Sequence, residues 1–298
     1  LIKVPARGYV YGFTSYLIWG LFPLYWPLLE PASAWETLAH RITLSLLFLA
    51  ILNTVRNDWN KIGAVLKNRR QFGLLTGASI LITINWGLYI WAVFNDHVID
   101  ASLGYFMNPI INIAFGVVLF REKLRKMQWF AIAIAAGGVI SLVISTGQIP
   151  WVALILGFSF GSYGMLKKLA NVDAVESLTV ETLILVPFAV SYLVYLFFTN
   201  QLALGNHGVS QTTFTLLAGV VTAIPLLLFG AAAVRIPYSA MGIMQYVTPT
   251  MQFLCGYFIT HEPMTSGRWI GFGFVWIALA VYSVDAITHH IRFAQSEE

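Results

Sequence analysis

Apolar runs about as long as a bilayer is thick follow one another along almost the whole chain, parted only by short polar breaks. A hydrocarbon core takes about 20 helical residues to cross. Inside it every backbone N–H and C=O must be satisfied within the structure, so helices are the expected element. The runs predict ten membrane-spanning helices, at 8–29, 33–55, 71–95, 99–120, 127–145, 150–169, 177–198, 212–234, 238–260 and 267–287. Composition agrees, with 58% hydrophobic and 10% charged residues against roughly 25% charged in an average soluble domain.

The chain is also duplicated. Pro109, Gly116, Glu122 and Trp129 recur as Pro249, Gly256, Glu262 and Trp269, each shifted by 140 residues. Weaker matches join Gly12-Phe13-Thr14 to Gly157-Phe158-Ser159, Trp19-Gly20 to Tyr163-Gly164, and Glu36 to Glu176. The seam falls near Thr146–Pro150, giving a first repeat over 1–146 (spans 1–5) and a second over 147–298 (spans 6–10). Of the 17 basic residues, all but Arg41, inside span 2, and Arg268 fall on one side if the N-terminus is cytoplasmic. That asymmetry sets the orientation. Five spans is an odd number, so the second repeat enters from the opposite side. The fold class expected is therefore an all-α integral membrane protein of two inverted five-helix repeats, the layout of many transporters.

Several classes are set aside. The net charge of +4 comes from basic residues lying between apolar runs, so no nucleic-acid partner is expected. Cys255 is the single cysteine, and the six histidines lack ligand spacing, so no disulfide, metal or cofactor is expected. No cleavable leader is expected either, because the first run is long enough to span. Connector 56–70 carries Trp59, Ile62 and Leu66 on one helical face among Lys61, Lys67, Arg69 and Arg70, a helix suited to the inner membrane surface. Connector 199–211 has Gly and Asn turn chemistry.

Polar side chains at membrane depth face the bundle interior more often than lipid. Span 1 offers Tyr16, Trp19 and Pro23 at helical spacing, and span 3 offers Asn85, Trp86 and Tyr89. Span 4 offers Tyr105, Asn108 and Asn112; span 6 offers Ser159 and Tyr163; span 9 offers Met241, Gln245, Thr248 and Gln252. Aromatic walls with a few amides suit a medium-sized, partly apolar solute. Cavity lining is the favoured reading of these residues, and plain helix–helix hydrogen bonding is the alternative. Trp26, Trp35, Trp129, Trp151 and Trp269 lie at span ends and read as interface anchors. Gly157, Gly161 and Gly164 read as close packing of span 6. Pro109, Pro187, Pro225 and Pro249 read as kinks.

Ionisable residues in or near spans are Glu36, His40, Arg41, Glu181 and Asp285. The candidate site is thus Tyr16, Trp19, His40, Arg41, Asn85, Trp86, Tyr89, Tyr105, Asn108, Ser159, Tyr163 and Gln245, with no catalytic or metal residues. Glu181 and His40 are able to carry protons, but nothing places them on one route, and the coupling ion stays open. Arg41 lies about 12 Å down span 2 at ~1.5 Å per residue, and a guanidinium there costs about 2.5–3.5 kcal/mol. It either faces a cavity and holds a carboxylate on the solute, or pairs with Glu36 or a helix carbonyl, or snorkels outward.

The segments LAHR (38–41), NWGLYIWAV (85–93), ASLGYFMNP (101–109), RKMQW (125–129), GFSFGSYGMLKK (157–168) and QYVTPTMQF (245–253) resemble the RarD-type proteins, called chloramphenicol-sensitivity permeases, of the EamA branch of the drug/metabolite transporter superfamily. The resemblance implies a permease of the bacterial inner membrane. It further implies a central cavity lined from both halves, with spans 5 and 10 at the periphery. It does not imply a substrate. EamA relatives with different cargoes often carry an arginine near position 41, which favours a structural role. The small multidrug pumps of the superfamily use a glutamate in mid-span 1; here Glu30 lies only at its end, so their proton mechanism is not expected.

The expected function is a secondary transporter moving a small metabolite or drug-like solute by alternating access, with small solute and bilayer as partners and nothing demanding more than a monomer. An intramembrane enzyme lacks HExxH, GxSxG and any nucleophile with a base. A receptor would normally carry a further domain or sizeable loop. Both termini are expected in the cytoplasm. A reporter fused after Glu298 should work only if it is active in the cytoplasm, and one placed in 199–211 should behave oppositely. A periplasm-only reporter working at the C-terminus would overturn the ten-span topology.

Overall fold

The computed structural model describes residues 6–120, 126–233 and 244–296. In chain order these form α1 (Ala6–Gly20), α2 (Phe22–Tyr25), a 3-10 turn (Trp26–Leu29), α3 (Ala34–Arg56), α4 (Trp59–Lys67), α5 (Arg69–Phe94), α6 (Val98–Phe120), α7 (Lys126–Thr146), α8 (Trp151–Ala170), α9 (Ala174–Phe198), α10 (Gly208–Ala233), α11 (Val247–Phe258) and α12 (Ser266–Ser296). Among the described residues, four helices or helix segments are long and apolar enough to cross a membrane: Ala34–Arg56, Arg69–Phe94, Ala174–Phe198 and Gly208–Phe229.

Polar residues at the ends of the apolar runs set the helix limits. The Ser33 hydroxyl accepts from the Glu36 N–H at 3.1 Å and starts α3, and Asn57 ends it in the left-handed conformation at φ 57°. Asn68 starts α5 in the same way, accepting from the Gln71 N–H at 3.2 Å. Asn171 ends α8 at φ 51°. Connector 199–211 turns through Asn200, Gly205 and Gly208, all at positive φ, which is the turn chemistry its sequence carries.

Two expected spans are not single helices. The first run breaks at Leu21 into α1, α2 and the 3-10 turn, with Pro23 and Pro27 each in the first turn of a short piece. A proline cannot donate to the preceding turn, so it starts a helix more readily than it continues one. Pro23 therefore does not extend the α1 face of Tyr16 and Trp19. The ninth run turns at Gln245 and Tyr246 before α11, and Pro249 lies in the first turn of α11 rather than at a kink. Its missing N–H is one that a helix start leaves unpaired anyway. Pro187 and Pro225 do lie inside α9 and α10.

Helix α4 forms where expected but buries a different face. Ile62 and Val65 are buried with Leu75, Ala170 and Val180, whereas Trp59 and Leu66 are exposed. The pair one turn apart docks on the bundle, so the outer face is left to Trp59 and Leu66. Lys61 Nζ lies 2.7 Å from Asp58 and 3.8 Å from Glu176, joining α4 to the start of α9.

Packing is dominated by a few helix pairs. Helix α5 lies along α8, α6 crosses α8, α1 packs on α10 and α11, and α3 packs on both α9 and α10. Helix α6 also meets α11. Helices α7 and α12 pack mainly on each other, beside the rest. Missing side chains allow two of these crossings. A Cβ on Gly104 would sit 2.6 Å from the Ala153 carbonyl, and one on Gly157 would sit 3.1 Å from the Gly104 carbonyl, so α6 and α8 touch backbone to backbone. A Cβ on Gly219 would sit 2.6 Å from the Leu44 carbonyl, where α10 crosses α3. Of the span-6 glycines, Gly157 makes a tight approach while Gly164 faces open space.

Gly219→Ala should therefore force α10 off α3 and cost about 1–3 kcal/mol, the usual range for overpacking. Thermal unfolding in detergent measures it. Gly164→Ala, with nothing near its Cβ, should leave stability unchanged or raise it by up to about 1 kcal/mol through helix propensity. Equal losses from both would refute the close approach.

Candidate functional site

Arg41 sits in the second turn of α3 and is 3% exposed. Its Nε donates to Thr222 Oγ1 on α10 at 2.9 Å. The guanidinium carbon lies 3.8 Å from the centre of the Trp86 ring, 5.1 Å from that of Trp26 and 5.7 Å from that of Phe22. Among the described residues no carboxylate comes within 4.0 Å. The N–H groups on its two terminal nitrogens have no hydrogen-bond partner there either. The glycine crossing at Gly219 is what brings Thr222, one turn further along α10, within reach of Arg41.

A structural pair between Arg41 and Glu36 is not what the fold contains. Glu36 Oε1 accepts from the backbone N–H groups of Ala203 at 2.8 Å and Leu204 at 3.3 Å, with His40 Nε2 at 3.5 Å. Its carboxylate closes the 199–207 loop, and His40 belongs to that group rather than to Arg41. Nor does Arg41 snorkel, at 3% exposure, or bond a helix carbonyl among the described residues.

Around the guanidinium, α5 and α6 supply rings and amides. Tyr89 and Tyr105 meet edge-on at 5.7 Å and pack in one cluster with Phe22, Trp26 and Trp86, the rings around Arg41. Tyr105 donates to Asn85 Oδ1 at 3.0 Å, and Asn85 Nδ2 donates to the Leu156 carbonyl and to Ser159 Oγ, each at 3.0 Å. Asn85 and Ser159 are thus spent on joining α5, α6 and α8, and they hold Tyr105 in place. Gln252 Nε2 on α11 donates to the Tyr89 hydroxyl at 3.1 Å. Trp26 Nε1, Asn108 Oδ1 and Gln252 Oε1 are buried polar atoms with no hydrogen-bond partner among the described residues.

The other candidates fall into separate groups. Tyr16 and Trp19 pack at 5.6 Å, both against Phe229 on α10, and the Tyr16 carbonyl accepts from Thr248 Oγ1 at 2.7 Å. Tyr163 donates to Glu181 Oε2 at 3.1 Å, and Lys167 Nζ lies 3.0 Å from Glu181 Oε1. A run of rings from Tyr105 through Phe160 to Tyr163, 6.0 Å at each step, links this group to the first. Gln245 is half-buried in the turn before α11, away from the contacts of Arg41.

Phe22, Trp26, Thr222 and Gln252 are functional-site neighbours absent from the candidate set. Trp26 is fully buried, so it is no interface anchor, while Trp35, Trp129, Trp151 and Trp269 are exposed. Its spacing of four from Phe22 was the available signal. Thr222 carries no local signal at all, since it is chosen by an interhelical crossing.

At the α6 start, Glu262 accepts from the N–H groups of Val98 at 2.6 Å and Ile99 at 3.0 Å. Asp100 is held by Arg268 at 3.2 Å and His97 at 2.8 Å. These contacts fasten the loop after α11 to the start of α6. The matching Glu122 and the rest of the basic cluster over 121–125, with Arg235 and Met241, lie outside the described residues. The open grooves beside Tyr257–Glu262, about 380 Å³, and beside Tyr246–Met251, about 340 Å³, lie on the surface apart from the Arg41 cluster.

Residues 6–144 match the model of the EamA-like transporter family. The chain is 44% identical to protein RarD of Streptomyces exfoliatus, with 94% of this chain and 89% of that one aligned. It is 36% identical to protein RarD of Escherichia coli, with 96% of each aligned. A solved crystal structure at 16% identity superposes with a TM-score of 0.60, covering 94% of this chain and 98% of the other, which is a likeness of fold alone.

Burial raises the Glu262 carboxyl above its ordinary pKa of 4.5, against the lowering effect of the Ile99 and Val98 N–H groups. A carboxyl raised in the folded state stays protonated there over a range in which the unfolded chain has released its proton. Its contribution is full below the unfolded value and is lost as pH rises through the folded one. Melting temperature should therefore carry a component that falls as pH rises above about 4.5, and Glu262→Gln should remove that component. An identical pH profile for the variant would show that Glu262 is not the group responsible.

Proposed function

The chain belongs to the EamA-like transporter family, among proteins of the RarD type, and we propose that it is a secondary permease moving a small metabolite or drug-like solute by alternating access. It is a multi-pass membrane protein of a transporter family. The observation that carries the finer reading is the cluster around Arg41. Phe22, Trp26, Arg41, Trp86, Tyr89 and Tyr105 come from the first half of the chain, and Thr222 and Gln252 from the second. A polar centre assembled from both halves is where an alternating-access carrier holds its solute.

Helix pairing supports two inverted repeats, 1–146 and 147–298. Helix α5 packs on α8 as α10 packs on α1, and α6 crosses α8 as α11 crosses α1. The pairs α3–α9, α6–α11 and α7–α12 each join a helix to its own counterpart. In this reading the ten spans are α1 with its short extension, α3, α5 to α10, the run ending in α11, and α12. Both termini lie in the cytoplasm of a bacterial cell. Glu262, Asp100 and Arg268 then close the outer mouth between α6 and α11, and these two helices flank the site and alternate its access. The partners are a small solute and the bilayer, with no nucleic acid, and a monomer suffices.

The test begins with metabolites in the medium of cells lacking and overproducing the protein. Each solute that differs, with chloramphenicol included, is then followed in proteoliposomes. At least one should exchange across the membrane faster with protein than without. If no solute differs between the cells and none is moved in vesicles, the protein is a receptor or an intramembrane enzyme instead.

A further inference from the structure

A permanent charge is buried in this fold with no counter-ion among the described residues. Arg41 is 97% enclosed, taking its 3% exposure, and guanidinium does not release its proton to escape burial. One of its five N–H groups is used, on Thr222. The other four have no partner among the described residues, and no described carboxylate is near. A ring 5.1 Å away carries Trp26 Nε1, itself a buried donor without an acceptor. Two independent groups in one place therefore call for acceptor oxygens. An apolar solute or a cation would satisfy neither.

The surroundings also say what the rest of the ligand is. Trp86 covers one face of the guanidinium at 3.8 Å, which leaves the N–H groups, lying in the guanidinium plane, free at its edge. That edge matches the two oxygens of a carboxylate. Tyr89, Tyr105 and Trp86 offer apolar surface beside it. One guanidinium balances one negative charge, so a monoanion fits better than a phosphate dianion. A purely structural arginine at this depth would spend its donors on a carboxylate or on carbonyls, and Arg41 does neither.

We infer that Arg41 is the anchor for a monocarboxylate group on the transported solute, whose apolar part rests on Trp86, Tyr89 and Tyr105. Thr222 positions the guanidinium without touching the solute. This rests on the reading of the protein as a permease with its site here, and it adds the substrate class.

The test uses the full-length protein in lipid nanodiscs. Butyrate, octanoate, 3-phenylpropionate and indole-3-acetate, each beside its primary amide, are titrated by calorimetry. At least one carboxylate should bind about tenfold or more tighter than its amide, the usual strength of a charge-assisted pair. Arg41→Gln should abolish that preference, and Arg41→Lys should keep the charge but lose most of it. Should Arg41→Gln fail to fold, Thr222→Val keeps the guanidinium and should weaken carboxylate binding while leaving amide binding unchanged. Binding by no carboxylate, equal binding of acid and amide, or an undiminished preference in Arg41→Gln or Thr222→Val overturns the inference. Arg41-dependent carboxylate binding without flux of any solute would sink the permease reading alone. Flux of solutes regardless of a carboxylate, intact in Arg41→Gln, would sink the anchor alone.

Discussion

Hydrocarbon offers no hydrogen bonds, so each polar group carried into these helices must be met by another helix. The α5–α6–α8 junction meets that demand most fully. Asn85 alone takes the Tyr105 hydroxyl and gives to the Leu156 carbonyl and Ser159. It is able to do so because Gly104 and Gly157 let α6 and α8 come together without side chains between them. Take away either the glycines or the amide, and Tyr105 loses its fixed place beside Arg41. Ser102 adds a bond from α6 to the Pro249 carbonyl on α11 at 2.9 Å.

The same demand explains the ends of the bundle. Two carboxylates there are turned to backbone N–H groups, while Asp100 is held by Arg268 and His97. Glu36 takes the N–H groups of Ala203 and Leu204, and Glu262 those of Val98 and Ile99. Each acid thereby fastens a loop from one half to a helix of the other. Half-buried Lys167 and buried Glu181, with Tyr163 and Ser177, form a different knot, an ion pair whose carboxylate is filled from three sides. Its lone pairs are occupied, as a buried carboxylate requires.

Arg41 departs from this rule, as do the buried Trp26 Nε1, Asn108 Oδ1 and Gln252 Oε1, which have no partner among the described residues. It has a wall of rings and one hydroxyl, and its remaining donors point to nothing described. Carrying an arginine to that depth without a counter-ion is costly. The cost falls where helices from both halves converge, which is the place where a solute would offset it.

Length, composition and the placement of basic residues were enough to predict a multi-pass helical protein, because each is a one-dimensional consequence of the bilayer. The repeat spacing of 140 and the segments shared with RarD-type permeases were likewise legible in the order of residues. Arg41, Trp86, Tyr89 and Tyr105 could be singled out because polar and aromatic residues are expensive or oriented at membrane depth. What the sequence did not hold was who meets whom. Trp26 looked like an anchor at a span end, yet the break at Leu21 turns it inward to full burial. Glu36, one turn from His40, looked like the partner for Arg41, yet it faces a loop 167 residues away. Thr222 reaches Arg41 across 181 residues because Gly219 lets α10 close on α3. Local spacing decides which residues share a helical face; only the crossing of helices decides what that face meets.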